Sequence, residues 1–534
     1  MTRWRPWSRE RVGLPEERVA TALATGSQAR VAVLAGDDAS TLLGRLRALA
    51  PAAQVTVLRL PLSPSELSGR LVGEAPYDVL IDVAGGPDLP RRFAAVSWSV
   101  RGGGTVVVGL PESDGRRFFE RLQTGEVGPA AGLRPRHQRA LLRGLEGVSV
   151  GGDWVVATRT TEALAKLGED TVARFLADRP RAGRTLTTVP GETWTVGSPV
   201  TTSRPLPRNP LPTSFAAPPA ALREYDQVVV MPGRASWLEG AVLPESFRHQ
   251  LRPELRNREL QELAPEVVER PPEPQQRLDG VWFNLTSPLP HHFGHALTEQ
   301  LGHAWGWAEA RQRYPDIRVL VATMEHRPLT SWELEILEAA GVPAELVTEV
   351  TEPVRVERLL DTTAMYEIGG FVHPGLRRVY DDVGATLAAR ATTTDLPARL
   401  FHTRRSDKRR CRNRDDVEAM FVDAGFTVVA PEDSPLPDQV ARIRAAEVVA
   451  GFAGSSMFHI ALTGGPRHVI VMTHEGYPAH NEYQLSALLG HRLDLSVSVP
   501  DVPRTSTGYQ RSAFHSDFVV DPETEGAYLR SLLD

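Results

Sequence analysis

Short apolar segments alternate with amphipathic segments in the last third of the chain. The apolar segments predict strands at Leu400–Thr403, Phe426–Ala430, Val448–Phe452 and His468–Met472. Between the strands, apolar residues at helical spacing predict a helix closed by Gly425, a helix at Leu436–Ala446, and a third helix that ends at Gly464-Gly465. Strands that alternate with helices in this way predict a parallel sheet with right-handed crossovers.

The carboxyl ends of these strands carry residues suited to a charged ligand. Ligands of parallel sheets bind beyond those ends. The basic segment after the first strand contains Arg404, Arg405, Lys408, Arg409, Arg410 and Arg412, followed by Asn413. The third strand leads into Gly454-Ser455-Ser456, where small residues and helix-end amides would suit an anion. The alternative for this turn is a tight turn with an N-cap and no ligand.

The rest of the chain predicts further α/β structure. In the N-terminal part, strands are expected at Arg30–Ala35, Gln54–Leu60, Tyr77–Ala84 and Thr105–Leu110, and helices at Ser40–Leu49 and Phe93–Val100. In the middle part, strands are expected at Val228–Met231, Ile317–Ala322 and Leu346–Val350, and helices at Ser331–Ala340 and Gly375–Arg390. Pro190–Pro219 is rich in Pro, Thr and Ser and predicts an extended linker or a strap across the surface.

The composition is typical of a soluble globular protein, with 41% hydrophobic and 24% charged residues in 534. A formal net charge of -6 gives no overall attraction to nucleic acid, although residues 404–414 are locally basic. The single cysteine, Cys411, excludes an internal disulfide framework and a multi-cysteine metal site. No apolar run approaches the ~20 residues of a membrane helix, and Met1–Trp7 contains no signal-peptide core, so we expect a cytoplasmic location.

A helix predicted within Pro290–Trp307 carries a polar stripe opposite its apolar face. His295, Glu299 and His303 fall at i, i+4 and i+8 along that stripe. A solvated face with satisfied histidines is one reading. Zinc bound by His295 and Glu299, or by His291 and His295, is another, but no His-Glu-x-x-His arrangement is present and we expect no metal.

Residues 400–490 resemble the C-terminal half of glycosyltransferase family 61, whose bacterial members are often described as capsular polysaccharide biosynthesis proteins. The matching residues are Thr403-Arg404, Arg410, Asn413, Gly425 to Glu432, Gln439, Gly451, Gly454-Ser455, Asn481, Tyr483 and Leu489-Gly490. Gly294, His295, Leu297 and Glu299 resemble the family's first motif. Three positions differ from the family pattern: Arg414, Ala453 and His459 stand where Glu, His and Asn are usual.

The resemblance implies an α/β fold with a GT-B-like pair of Rossmann-like domains, preceded by an additional Rossmann-like domain. The expected boundaries are 1–190 for a degenerate Rossmann-like domain, 191–222 for the Pro-rich linker, 223–395 for an acceptor-side domain and 396–534 for a domain that binds the nucleotide sugar. Two facing α/β domains would place the two sets of matched residues across a cleft.

The resemblance also implies an inverting, metal-independent glycosyltransferase that moves a sugar from a nucleotide-diphosphate donor to a hydroxyl acceptor, such as a glycan, with no further cofactor. A role in surface polysaccharide or glycoconjugate biosynthesis follows from the same likeness. The leaving diphosphate needs positive charge or backbone amides, and the attacking hydroxyl needs a base. The candidate donor-binding residues are Arg404, Arg410, Asn413, Glu432, Gln439, Gly454, Ser455 and Ser456.

His295 and Glu299 are the candidate catalytic residues. We prefer His295 as the base, because an ordinary imidazole with a pKa of about 6.5 is mostly neutral near pH 7 and still basic. A solvated carboxylate, with a pKa near about 4.3, is a weak base at that pH. Glu299 is then expected either to orient His295 or to take the proton itself.

Two other functions remain open at the level of sequence. The departures at Arg414, Ala453 and His459 favour a non-catalytic nucleotide- or carbohydrate-binding protein that keeps the fold. Separately, Tyr77–Leu110 resembles the central part of class I methyltransferases, which implies S-adenosylmethionine binding by residues 1–190.

Two features oppose a working methyltransferase site. Gly36-Asp37-Asp38 stands in place of a glycine-rich loop after the first strand. The second strand ends in Arg59-Leu60, without an acidic residue to bind a ribose. We therefore expect residues 1–190 to be a scaffold without a cofactor.

Overall fold

The computed structural model describes residues 16–23, 28–36, 39–86, 88–110, 114–130, 132–206, 210–252, 254–324, 327–505 and 509–533. The predictions made on Met1–Trp7, Asp37 and Asp38 lie outside these residues. The chain divides into two compact units. The first comprises Met1–Arg184, Asp226–Val230 and Ala235–Gln276, and the second comprises Thr185–Tyr225, Met231–Arg234 and Arg277–Asp534.

The first unit contains a six-stranded sheet with parallel and antiparallel parts. In spatial order its strands are Gln54–Arg59, Arg30–Ala35, Tyr77–Asp82, Val100–Gly109, Trp154–Arg159 and Leu145–Gly151. The first four strands are parallel, and the last two add in antiparallel pairing. Strands such as Arg30–Ala35 are buried on both faces, which matches their continuous apolar sequence.

Helices and short strands complete the first unit. The helices are Glu16–Leu23, Ser40–Leu49, Pro64–Val72, Leu89–Val96, Asp114–Thr124, Pro135–Gly144 and Glu169–Asp178, with 3₁₀ turns at Ser97–Ser99 and Pro244–Ser246. The further strands are Ala163–Lys166, Ala235–Leu238, Ala241–Val242, Glu262–Ala264 and Val267–Glu269. Gly183–Val189 and Ala220–Met231 are strands along which the chain passes from one unit to the other.

The second unit contains a six-stranded sheet in which every pair is parallel. In spatial order its strands are Thr427–Val429, Arg399–His402, Val448–Phe452, His468–His474, Arg492–Ser498 and Val200–Thr202. We call it the C-terminal sheet. The prediction of a parallel sheet in this part of the chain is confirmed. Its last strand comes from the segment predicted as a linker, so that segment pairs along the sheet edge as a strap does.

Four further strands lie side by side in the order Val354–Thr362, Gln276–Asn284, Arg318–Ala322 and Val347–Val350. The shorter strands of the second unit are Glu192–Thr195, Ser214–Ala217, Tyr366–Glu367 and Phe371–Val372. Its α-helices are Phe293–His295, Trp307–Arg313, Ser331–Ala339, Leu376–Ala388, Arg414–Asp423, Leu436–Ala445, His480–Leu489, Arg511–Phe514 and Glu525–Leu533. A π-helical turn spans Ala296–Gln300, and 3₁₀ helices span Pro232–Arg234, Leu301–Gly306, Ala344–Leu346, Pro431–Asp433 and Ser455–Leu462.

Residues 277–395 and 396–534 share one hydrophobic core. Phe283, Leu297 and Leu360 belong to the same buried cluster as Val449 and Leu495. The expected acceptor-side and donor-side parts therefore lie, from residue 277 onward, within one compact unit. The α/β class is confirmed, and the GT-B arrangement stays a prediction.

Two local predictions in the first unit were wrong. The helix expected at Phe93–Val100 lies at Leu89–Val96, and Val100 already begins a strand that runs to Gly109. The three glycines at 102–104, expected before the strand, lie inside it. The strand register shifts next to them, and Gly103 has a φ of +77°, which glycine tolerates without strain. Among the described residues, no helix is both long and apolar enough to cross a bilayer.

Candidate active site

His295 lies at the start of an irregular helical segment. One α-helical turn at Phe293–His295 passes directly into the π-helical turn Ala296–Gln300. His295 Nδ1 is hydrogen-bonded to Glu299 Oε2. The imidazole is mostly buried, and Glu299 is more deeply buried still. An ionised carboxylate only accepts, so when the ring is neutral its proton lies on Nδ1 and Nε2 carries the lone pair.

His303 does not join this pair. The helix changes from π to 3₁₀ geometry at Leu301, so residues eight positions apart no longer share a face. His303 Nδ1 lies 2.9 Å from Arg234 Nη2 and 2.6 Å from the carbonyl oxygen of Thr362. Burial and the nearby Arg234 lower the pKa of His303 well below its usual range. The predicted three-residue stripe is therefore wrong, because a regular helix was assumed.

The turn at Gly454 follows the carboxyl end of the strand Val448–Phe452. Gly454 has a φ of +142°, and a Cβ on it would lie 2.9 Å from Arg404 Nη1 and 3.3 Å from Arg409 Nη2. The backbone conformation therefore favours glycine here, and both guanidinium groups lie close against it. A 3₁₀ helix, Ser455–Leu462, begins directly after it.

The segment that carries His295 packs directly on this turn. A Cβ on Gly294 would lie 3.0 Å from Ser455 Oγ and 2.8 Å from the Phe458 ring. The Phe293 ring stacks on His459, with centroids 4.5 Å apart. The two motifs matched in the sequence, more than 150 residues apart, thus meet within the second unit. The contact requires a glycine next to His295, which explains Gly294.

Arg404 and Arg409 form the positive part of the site. Arg404 Nη1 donates a 2.5 Å hydrogen bond to the carbonyl oxygen of Ala453. Burial, and then the charge of Arg409, lower the pKa of Arg404 to about 10. Arg409 has a φ of +57°, and its guanidinium lies 4.1 Å from the centre of the Tyr477 ring. Arg409 Nε is buried and has no hydrogen-bond partner among the residues that the structure describes.

Arg410 and Asn413, two of the predicted donor-binding residues, have other partners. The Arg410 side chain donates to Asp517 at 2.8 and 3.0 Å and is largely exposed. Asn413 donates to the carbonyl oxygen of Val520 at 2.9 Å and accepts from its amide at 3.0 Å. Both residues tie the basic segment to the C-terminal segment. The arginine that joins Arg404 at the turn is Arg409 and not Arg410.

The remaining predicted residues lie near the carboxyl edge of the C-terminal sheet in different ways. Glu432 is exposed on the short helix Pro431–Asp433. Gln439 donates to the carbonyl oxygen of Ser434 at 2.6 Å, which fixes the loop after that helix. The carbonyl oxygen of Ser456 accepts from the Nδ1 atoms of His402 and His459 at 2.9 and 2.8 Å.

Burial lowers the pKa of both of these histidines, to about 4 for His402 and about 3 for His459. Both imidazoles are therefore neutral at physiological pH. His459, which departs from the family pattern, helps to fix the carbonyl of Ser456 and packs on Phe293.

His292 lies close enough to both His295 and Arg409 for their charges to affect its pKa. Its ring lies 4.4 Å from that of His295, between centroids. Burial, His295 and Arg409 together lower the pKa of His292 to about 4, against the opposing charge of Glu299. His292 therefore stays neutral near pH 7 and adds no positive charge beside His295.

Sequence reasoning missed Glu482. It lies in the first turn of the helix His480–Leu489 and is completely buried. Its Oε1 accepts the Gly454 amide at 2.7 Å, so this amide is already engaged. Burial raises the pKa of Glu482 to about 7, and Arg409 and Arg404 limit the rise. The available signal was a carboxylate between Asn481 and Tyr483, two residues that had been matched to the family.

Possible metal ligands and surface cavities help to locate the site. No group of three or more side chains suited to a metal ion occurs in the described part of the chain. A surface cavity of about 480 Å³ is lined by Glu447, His468 and Arg492 among others. These residues stand at or just before the amino ends of their strands, at the opposite edge from Arg404 and Gly454. The convergence of charged groups at the carboxyl edge makes that edge the candidate active site.

Comparison with known proteins relates this part of the chain to a protein family. Residues 293–471 match the model of the family Glycosyltransferase 61. The matched range contains His295, Glu299, Arg404 and the Gly454 turn, and Glu482 lies beyond it. For this part of the chain, the match confirms the glycosyltransferase family that the sequence motifs suggested.

Other comparisons add little. No curated protein gives a significant match. Among solved structures, the methyltransferase MycE of the mycinamycin pathway, in complex with Mg and SAH, is 15% identical over 27% of this chain and 49% of its own, with a TM-score of 0.22. The chain therefore spans about half the length of that structure.

A second solved structure is a release-factor-specific protein-(glutamine-N5) methyltransferase from Alicyclobacillus acidocaldarius. It is 18% identical over 27% of this chain and 89% of its own, with a TM-score of 0.20. At such TM-scores neither structure assigns a function to this chain.

Proposed function

We propose that the protein is an inverting glycosyltransferase that uses a nucleotide-diphosphate sugar and no metal ion. One contact carries the proposal: the packing of Gly294 on Ser455, which brings a histidine–carboxylate pair to a turn flanked by two arginines. A base beside a cationic pocket is the pair of groups that this transfer needs.

In the proposed reaction the acceptor hydroxyl oxygen attacks the anomeric carbon of the donor sugar. The new glycosidic bond forms as the bond between that carbon and the diphosphate oxygen breaks. His295 Nε2 takes the hydroxyl proton, and Glu299 stabilises the imidazolium through Nδ1. Arg404 and Arg409 stabilise the negative charge that develops on the leaving diphosphate. Attack from the side opposite the leaving group inverts the anomeric configuration.

Two arginines at a glycine turn supply the positive charge that a divalent cation supplies in metal-dependent enzymes. We propose that the donor-side residues are Arg404, Arg409, Gly454 and Ser455. Arg410, Asn413, Gln439 and Ser456 are proposed to support the shape of this edge rather than to touch the diphosphate, since their described contacts are with the protein. Glu432, which is exposed, stays a proposed donor-binding residue. The acceptor is proposed to be a glycan of a surface polysaccharide or glycoconjugate, and the location cytoplasmic.

The test is a transfer assay with a panel of UDP-, GDP- and dTDP-sugars and a panel of glycan acceptors, run with excess EDTA. We expect release of nucleoside diphosphate that depends on the acceptor and persists with EDTA, and a product of inverted anomeric configuration by NMR. Activity that EDTA abolishes, or a retained configuration, contradicts the proposed chemistry. Tight nucleotide binding without any turnover favours the non-catalytic alternative.

A further inference from the structure

Glu482 is a carboxyl group in an unusual position for a site meant to hold an anion. It is completely buried, and Oε1 accepts the Gly454 amide at 2.7 Å. Gly454 is the residue against which Arg404 and Arg409 lie. The carboxyl group thus uses the same backbone amide, beside the same two cations, that a phosphate at this turn would use.

The hydrogen bonds around Glu482 are incomplete. Its Oε2 is buried and finds no partner in the described part of the chain, and the same holds for Arg409 Nε and His474 Nε2. His474 Nδ1 accepts from the Gly476 amide at 3.1 Å, so the proton of the neutral ring lies on Nε2. Arg409 Nε and His474 Nε2, which lies near the same two arginines, are buried donors that are costly unless a ligand with acceptor oxygens satisfies them.

The other charged and titratable groups near Glu482 keep the same charge between about pH 7.5 and 9. Arg404 and Arg409 are cations facing it from the basic segment, and the pKa of Arg404 remains about 10. Tyr366 and Tyr477 also interact with the charge of Glu482, and burial raises the pKa of each well above its ordinary value. His474, near the same two arginines, has its pKa lowered to about 3 by burial.

We propose that Glu482 lies beside the phosphate position as a carboxylate in the ligand-free protein, and takes up one proton from solvent when a nucleoside diphosphate binds. A diphosphate between Arg404 and Arg409 places negative charge beside the carboxylate, and protonation removes the repulsion. The protonated oxygen then becomes a donor to a phosphate oxygen. The inference rests on the proposed function for the location of the diphosphate, and adds a proton-linked control of binding at that site.

The direct test is proton uptake by the wild-type protein on binding UDP, GDP or dTDP. Calorimetry at pH 8 in buffers of different ionisation enthalpy gives the number of protons taken up. The second pKa of a phosphate group, about 6, lies well below this pH, so the ligand itself contributes little. We expect uptake approaching one proton, and an affinity that falls by up to about tenfold per pH unit from pH 8 to 9.

The matched variants are Glu482→Gln and Glu475→Gln. The first keeps the size of the side chain and an acceptor for the Gly454 amide, and we expect it to bind with no proton uptake and no pH dependence between pH 8 and 9. Glu475 directly follows the strand His468–His474 and is half-exposed, and its variant should behave as wild type. If Glu482→Gln does not fold, the wild-type measurement alone decides.

The outcomes separate this inference from the proposed function. Nucleotide binding with no proton uptake, alongside glycosyl transfer, overturns the role of Glu482 alone. If the wild-type protein takes up a proton on binding and Glu482→Gln binds without taking one up, the role of Glu482 is supported even if no transfer is found. Failure of all three nucleoside diphosphates to bind overturns both.

Discussion

Each unit carries a buried carboxylate beside an arginine close to the carboxyl end of a parallel strand, but the two differ in how completely they are paired. In the first unit, Asp82 Oδ2 accepts from Arg92 Nε at 2.7 Å, and Oδ1 accepts from Arg92 Nη2 at 3.2 Å and from the Ala84 amide at 3.0 Å. Arg92 Nη2 also donates to the carbonyl oxygen of Gly85 at 2.6 Å. Both charges are therefore satisfied by the protein itself.

In the second unit, Glu482 and Arg409 each retain a buried polar atom without a partner among the described residues. A closed pair such as Asp82–Arg92 fixes a loop, and neither side chain has a buried polar atom without a partner among the described residues. An open cluster such as Glu482–Arg409 leaves hydrogen bonds to be made. Both clusters carry charge near a strand end, and they differ in how many of their buried polar atoms the protein itself satisfies.

The largest expected effect comes from the base. His295→Ala should lower turnover by ~10²–10⁴-fold, the usual contribution of general-base catalysis, with nucleotide affinity nearly unchanged. Steady-state kinetics with a saturating nucleotide sugar, together with nucleotide titration, measures both quantities.

The matched control for His295 is His468, another partly buried histidine bonded to a carboxylate, with Nε2 2.6 Å from Asp494 Oδ2. It lies at the amino end of its strand, and His468→Ala should leave turnover unchanged. Loss of nucleotide affinity with normal turnover in His295→Ala would instead make His295 a ligand of the donor.

The closed pair gives the next effect, on stability. Arg92→Ala should destabilise the first unit by about 3–5 kcal/mol, because it leaves Asp82 buried and unpaired. The loss in free energy of unfolding is measured by urea unfolding and by hydrogen exchange of the amides in the strand Tyr77–Asp82.

The control for this pair is Arg101→Ala, which removes a half-exposed ion pair with Asp78 and should cost less than about 1 kcal/mol. Replacing both members of the buried pair, by Asp82→Leu with Arg92→Met, should recover much of the stability. Equal losses of stability for Arg92→Ala and Arg101→Ala would show that Asp82 does not depend on Arg92 to satisfy its charge.

The smallest expected effect is on nucleotide affinity at the open cluster around Glu482 and Arg409. Arg404→Ala should weaken nucleoside diphosphate binding by about 1.5–3 kcal/mol, and Arg404→Lys should recover only part of the loss, since Lys cannot make the bidentate contact. Arg410→Ala should change affinity by less than about 0.5 kcal/mol, because its guanidinium is committed to Asp517 at the surface. Calorimetric titration of the three variants decides. An Arg410→Ala variant weakened as much as Arg404→Ala would show that ligand binding opens the Arg410–Asp517 pair.

Local patterns in the sequence predicted most of the secondary structure that positions the site. Arg30–Ala35, Ser40–Leu49 and Val448–Phe452 have their predicted bounds, because apolar periodicity and the turns around them are local properties. The α/β class and the family followed from such patterns and from motif residues.

The identity of the site's charged groups depended on tertiary structure. Whether Arg409 or Arg410 faces the turn is decided by the φ of +57° at Arg409, which no residue pattern in the basic segment signals. The burial of Glu482 is decided by packing around the helix His480–Leu489. The position of His303 is decided by a π-helical turn, because regular helical periodicity predicts a single stripe.

A crystal structure with a bound nucleoside diphosphate would show directly whether the Gly454 turn is the donor site. The predicted result is a diphosphate at the Gly454 turn, with phosphate oxygens within hydrogen-bond distance of both Arg404 and Arg409 and of Glu482 Oε2. The contradictory result is a nucleotide bound elsewhere, on Arg410 or in the cavity near Glu447 and His468, with the cluster around Gly454 making no contact to it.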